Sequence, residues 1–196
     1  LKESTHKTHD GLDHYERKWL QIGVATSNEE ILESYRCNMD GDVYLDMEGI
    51  KNEMATWKFP LHFIDFETSA VALPFYEGMR PYEQIAFQFS HHRVDLNEDG
   101  SYRITHAGQF INTEKGHFPN FDFIRALKNE LDKENGTIFR YSNHENTILR
   151  EIHKQLENSH EEDKEELQAF IESITHYKDG KDEFVGKRDM VDLADV

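Results

Sequence analysis

Cysteine is almost absent. Cys37 stands alone, so neither an intrachain disulfide nor a thiolate zinc cage can form, and the expected compartment is a reducing cytoplasm. Long apolar runs are missing as well: no stretch approaches the roughly 20 residues that span a bilayer, and no signal-peptide pattern opens the chain, so no membrane partner is expected. The chain begins at Leu1 and stops at Val196, directly after an apolar stretch, which leads to the expectation that it is a piece of a longer protein. Basic residues are in deficit, with 22 Lys and Arg against 39 Asp and Glu, and the net charge of −17 repels phosphate. That balance weighs against tight nonspecific DNA binding. It does not exclude a nuclease, because clustered carboxylates hold divalent cations that reverse the local sign. Walker and dinucleotide-binding glycine motifs, a nucleophile elbow and the zinc-protease histidine pair are all missing. Although the chain has 12 His, His91 and His92 are neighbours on an expected strand, so their side chains oppose each other and cannot share one ion.

What is present is an aromatic-rich globular composition. Hydrophobic residues make up 37% of the chain, and 13 Phe, 8 Tyr and 2 Trp must supply much of the buried area of one core. Residues 1–41 are expected to be a helical leader or the remnant of an upstream region, with helices near His14–Ile22 and Asn28–Tyr35. The main domain is expected over residues 42–196, truncated at its C-terminus. It opens with a short strand in VYLDM and a helix that ends before Pro60.

Three strands then follow: LHFIDFET, IAFQFSHHRVDL and SYRITHAGQFI, the last two joined by the turn Asn97-Glu98-Asp99-Gly100. Between Pro119 and Lys133 the apolar residues Phe121, Ile124, Leu127 and Leu131 recur at helical steps, and Asn135-Gly136 closes that segment. TIFRYS reads as a strand, Asn146–Leu156 as a helix, and Lys164–Tyr177 as a further helix with Leu167, Phe170, Ile171 and Ile174 inward. ENSHEEDKEE reads as a solvated loop, and MVDLADV as the start of a last strand. The order predicts an α/β fold: a mixed sheet of three antiparallel strands followed by parallel ones, flanked by helices.

Asp65 and Glu67 sit one residue apart on the first of these strands, so both carboxylates share one face while Phe66 points to the other. Two like charges on a half-buried strand raise each other's pKa, and a divalent cation relieves the conflict. The plain alternative is a pair of solvated acids on an exposed strand edge. Glu145, in YSNHENTIL, falls where a strand gives way to a helix and can reach the same metal from a neighbouring strand end. It can equally be a first-turn acid favoured by the helix dipole. Asn143 and His144 are candidates to orient substrate or water, or simply polar residues at a helix start. Arg80 can clamp a phosphate or cap a loop. Asp192, set among apolar residues in MVDLADV, is a further candidate ligand, with a strand-end acid as the alternative.

The segment LHFIDFETSAVALPFYEGMRPYEQIAFQFS, with its D-x-E, the G-x-R-P-Y-x-Q-I-x-F-Q stretch from Gly78 to Gln88, and an acid following a Tyr-containing strand (Tyr141, Glu145), resembles an uncharacterised bacterial family. That family is a domain of unknown function related to the DEDD 3′–5′ exonuclease superfamily. The resemblance covers residues 42–196 and implies a ribonuclease-H-like fold with two-metal phosphodiester hydrolysis of DNA or RNA. Asp65, Glu67 and Glu145 would hold two Mg²⁺ or Mn²⁺ ions, joined by Asp192 or by a missing fourth acid. Glu145 departs from the Asp usual in the second motif, and the third motif, a Tyr or His followed by Asp, would lie beyond residue 196. A single-stranded 3′ end is the expected partner, with Arg80 on phosphate, an aromatic among Phe75, Tyr76 and Tyr82 under the terminal base, and Asn143 and His144 nearby. In longer proteins of this kind the domain follows a RecB-like nuclease segment. The rival expectation is a catalytically incomplete ribonuclease-H-like module that binds nucleic acid or a partner nuclease domain.

Overall fold

A computed structural model describes residues 39–40, 43–44, 47–179 and 182–196; the helices expected near His14–Ile22 and Asn28–Tyr35 lie outside them. The chain divides into two compact units, 1–56 and 57–196. The first holds a two-stranded antiparallel ladder, β1 (Met39–Asp40) with β2 (Val43–Tyr44), and helix α1 (Met47–Met54). The strand and helix read from VYLDM onward thus belong to this unit rather than to the one that carries the main sheet.

The second unit is built on β3 (Leu61–Ser69), β4 (Ile85–Leu96), β5 (Tyr102–Ile111), α2 (Asn120–Leu131), β6 (Ile138–Arg140), α3 (His144–Glu157), α4 (Lys164–Ile174), β7 (His176–Asp179), β8 (Asp182–Val185) and β9 (Val191–Asp192). Five of these strands form one sheet in the order β5-β4-β3-β6-β9. The meander β3-β4-β5 is antiparallel, whereas β6 joins β3 and β9 joins β6 in parallel. The result is the expected α/β fold with a mixed sheet. The β4–β5 hairpin closes at the expected turn, where the Gly100 N–H donates to Asn97 O at 3.0 Å and Gly100 takes a φ of +81°. Glycine reaches that left-handed region without a Cβ penalty.

Periodicity explains which face is covered. Along β3 the side chains of His62, Ile64 and Phe66 are buried, while Asp65 and Glu67 are exposed. Ile64, Phe66, Ala86, Phe89 and Ile138 pack against the apolar stripes of α2 (Phe123, Ile124, Leu127, Leu131), α3 (Ile148, Leu149, Ile152, Leu156) and α4 (Leu167, Phe170, Ile171, Ile174). Phe123 is the hub: Phe66, Phe89 and Phe110 meet its ring edge-on at centroid distances of 4.9, 5.4 and 5.9 Å. Burying a ring of this kind contributes about 2–3 kcal/mol. On the opposite face Phe63 stacks on Phe139 at 4.8 Å and Trp57 meets Phe139 edge-on at 4.7 Å.

Two boundaries and one loop depart from the sequence reading. Helix α4 stops at Ile174, short of Tyr177, because Thr175 is extended (φ −122°, ψ 166°) and the Asn146 side chain pairs with both the N–H and the C=O of His176. The backbone of His176 is thereby committed to a neighbouring helix, and Tyr177 belongs to β7. Helix α2 ends at Leu131, four residues before Asn135, so Gly136 is not its terminator. Gly136 is needed because a Cβ there would lie 1.7 Å from Pro60 O. Finally, the acidic run after α3 is anchored rather than merely solvated: Arg125 Nε and Nη2 donate to the two oxygens of Asp163 at 2.7 Å each, and Nη2 also donates to Glu161.

Candidate carboxylate site

Strand β3 is the centre of the five-stranded sheet, but its parallel pairing with β6 covers only His62 and Phe63, so Asp65 and Glu67 are paired on the β4 side alone. Their ladder partners on β4 are Ser90 and Gln88, and the register shifts between Glu67 and Thr68. Both carboxylates are exposed on one face, with Phe66 buried on the other. Pairing with β4 fixes their Cα positions; both acids are exposed rather than half-buried, so solvent already relieves the like-charge conflict expected on this strand, and both are open to a ligand.

Glu145 is positioned differently. It lies in the first turn of α3, which begins at His144, two residues earlier than the apolar periodicity indicated. Only 3% of Glu145 is exposed, and its Oε2 has no hydrogen-bond partner among the described residues. Burial pushes its carboxyl pKa above the usual range; the charge of Asp65 pushes the same way, while its own backbone N–H, His144 and Arg140 oppose. The charge of Asp65 acts at Glu145, so the D-x-E strand and the start of α3 are neighbours. His144 is exposed, and its Nε2 lies 3.1 Å from Thr68 Oγ1, tying α3 to the end of β3. Thr68 was not anticipated as part of this site; its position one residue past Glu67, on the strand already singled out, was the available signal.

Asn143 caps α3 through its backbone: its C=O accepts from Thr147 N–H at 3.1 Å, and its side-chain amide lies 3.5 Å from Thr147 Oγ1. Asp192 has both oxygens engaged. Its Oδ2 accepts from Arg140 Nη1 at 2.6 Å, and its Oδ1 accepts the Ser142 and Ala194 N–H groups at 2.7 and 3.0 Å. Arg140 was also missed, although a charged residue inside the short apolar strand of TIFRYS requires a buried partner. Arg80 lies in the β3–β4 connection, exposed, with its N–H donated to Glu83 Oε2 at 2.8 Å. In the same connection Phe75 and Tyr82 are 61% and 68% exposed. Tyr76, by contrast, packs edge-on against Phe118 at 5.8 Å. Tyr82 takes a φ of +62°, and its N–H donates to Val71 O at 2.8 Å, which folds the connection back on itself.

Asp65, Glu67 and Glu145 offer hard oxygen donors, the type Mg²⁺ and Mn²⁺ take, and the unpartnered oxygen of Glu145 fits a ligand of that kind. Among the described residues no group of three or more His, Cys, Asp or Glu is close enough to hold a metal ion. The carboxylates therefore suit a cation chemically, without being gathered around a common point. Elsewhere, His91 is buried and His92 exposed, as their alternation requires.

The fold defines an α/β protein with a central mixed sheet, and its candidate acids lie on β3 and at the start of α3. Residues 62–196, well over half the chain, match the family described as a domain of unknown function, DUF2779, and the chain belongs to that family. No curated protein and no solved structure matches it. No helix among the described residues is long and apolar enough to cross a membrane.

Proposed function

We propose that the chain is a ribonuclease-H-like, metal-dependent nuclease of the 3′–5′ exonuclease type, hydrolysing phosphodiester bonds of DNA or RNA. The observation that carries this reading is Glu145: a carboxylate 3% exposed, with one oxygen unpartnered, beside the charge of Asp65. A buried acid with an unpartnered oxygen costs stability and is found where function uses it. Asp65, Glu67 and Glu145 would hold Mg²⁺ or Mn²⁺, which when bound supplies an activated water and neutralises charge on the phosphate. The protein's own part is to fix the three acids on a central strand and a helix start. Arg80 would pair with a phosphate of a single-stranded 3′ end, while the exposed rings of Phe75 and Tyr82 offer stacking surfaces for a base. His144 and Asn143, at the start of α3, would contact the substrate beside Glu145.

A second reading, a catalytically incomplete module that docks nucleic acid or an upstream RecB-like nuclease domain, is favoured by the absence of a gathered three-donor group among the described residues. End-labelled single-stranded DNA and RNA, incubated with the protein and Mn²⁺, separate the two. The nuclease reading expects stepwise shortening from the 3′ end that Asp65→Asn, Glu67→Gln and Glu145→Gln each reduce at least about 100-fold. Binding of the oligonucleotides without cleavage, unchanged in those variants, would establish the docking module instead.

A further inference from the structure

The turn between β6 and α3 delivers Glu145 to the site, and three features hold it. Arg140, 4% exposed, donates from Nη1 to Asp192 Oδ2 at 2.6 Å and to Ser142 O. Ser142 has a φ of +70°, in the left-handed region that non-glycine residues rarely adopt, so the surrounding contacts must hold it there. Asp192 Oδ1 accepts the Ser142 N–H at 2.7 Å, and the backbone ladder adds Leu193 N–H to Arg140 O at 2.9 Å. Asp192 thus grips both ends of the left-handed turn, the strand side through the guanidinium and the helix side through the amide. Asn143, His144 and Glu145 follow directly.

We propose that Asp192 is the positioning residue of the carboxylate site, acting through Arg140 and Ser142 to set the turn from which Glu145 projects, and not a metal ligand. The proposal rests on the reading of Glu145 as a metal-binding acid of this chain. Its chemistry follows from the partners. A cation bound at Asp192 would have to displace a buried guanidinium from a charge-assisted bond and two amides from the other oxygen. Residues that orient metal ligands typically change metal affinity 10–100-fold when removed.

The test compares Asp192→Asn with Arg140→Lys, which leaves the Asp192 carboxylate intact and keeps a cation in the pocket should the first variant fold poorly. Mn²⁺ binding is followed by calorimetry, and the amides of residues 141–147 by nitrogen-15 spectra and hydrogen exchange. Positioning predicts that each variant weakens Mn²⁺ about 10–100-fold at unchanged stoichiometry, that the double variant is no worse than the weaker single one, and that excess Mn²⁺ restores turnover in Asp192→Asn but not in Glu145→Gln. Faster exchange at Ser142 and shifted His144 and Glu145 amides accompany the loss. Lost stoichiometry in Asp192→Asn with Arg140→Lys at wild-type affinity would make Asp192 a ligand and overturn the proposal. So would wild-type affinity with unshifted amides in both variants. If the wild-type chain binds no Mn²⁺, the nuclease reading fails on its own, and the amide data alone decide whether Asp192 sets the turn: undisturbed amides reject the clamp, disturbed ones retain it.

Discussion

Asp192 and Glu145 flank the same turn and have opposite surroundings. Asp192 faces a guanidinium and two backbone amides, whereas Glu145 is more deeply buried and keeps an oxygen with no partner. The fold has thus satisfied both oxygens of one acid and left one oxygen of the other without a hydrogen bond. A compensated buried charge serves the architecture, because removing either partner strands the other. A buried acid with an unpartnered oxygen works against the architecture, which is why it points to a ligand.

The largest effect expected from breaking this contrast is at Asp192. Asp192→Ala leaves the Arg140 guanidinium, 4% exposed, without its counter-charge and should destabilise the protein by about 3–5 kcal/mol. Urea unfolding reads this as a lowered midpoint at an unchanged slope; an unmoved midpoint would remove the contrast with Glu145.

A third buried titratable group sharpens the comparison. His62, 1% exposed, shares a 2.9 Å hydrogen bond between its Nδ1 and Nε2 of His91. Burial, then the neighbouring His91, Arg188 and Arg93, hold its pKa down from 6.5 to about 4. The native state therefore refuses a proton that the unfolded chain accepts. Stability from this group is complete above pH 6.5, declines as pH falls below that value, and is fully lost near pH 4, a change of about 3 kcal/mol. His62→Gln should flatten the fall in urea midpoint across that window.

The smallest effect is expected at Glu145 and has the opposite sign to that at Asp192. Its carboxyl pKa is raised in the folded state, chiefly by burial, so the ionised form costs stability at neutral pH, and the cost fades as pH falls and the native state takes up the proton. In metal-free protein Glu145→Gln should raise stability by about 1 kcal/mol at pH 7, while Mn²⁺ should stabilise the wild type more than the variant. A loss of stability in that variant would mean that Glu145 is a structural acid.

Much of the sheet was legible because strand periodicity and turn chemistry are local. The alternation in LHFIDFETS places Asp65 and Glu67 opposite Phe66, and the glycine of Asn97-Glu98-Asp99-Gly100 accepts the φ its turn requires. The end of α4 was not legible, because it depends on Asn146, a residue 30 positions away that captures the backbone of His176. Arg140 and Asp192, 52 residues apart, likewise give no short-range signal of their pairing.

By itself the sequence determined the D-x-E face of β3, the three-strand meander and the apolar stripes of the helices, since each follows from spacing within one element. Only the tertiary structure decided that β3 is central in the sheet order, that Asp192 is spent on Arg140 and Ser142, and that Glu145 keeps one oxygen without a hydrogen bond. Those outcomes depend on which elements become neighbours, and it is the partners those neighbours supply that give two carboxylates different surroundings.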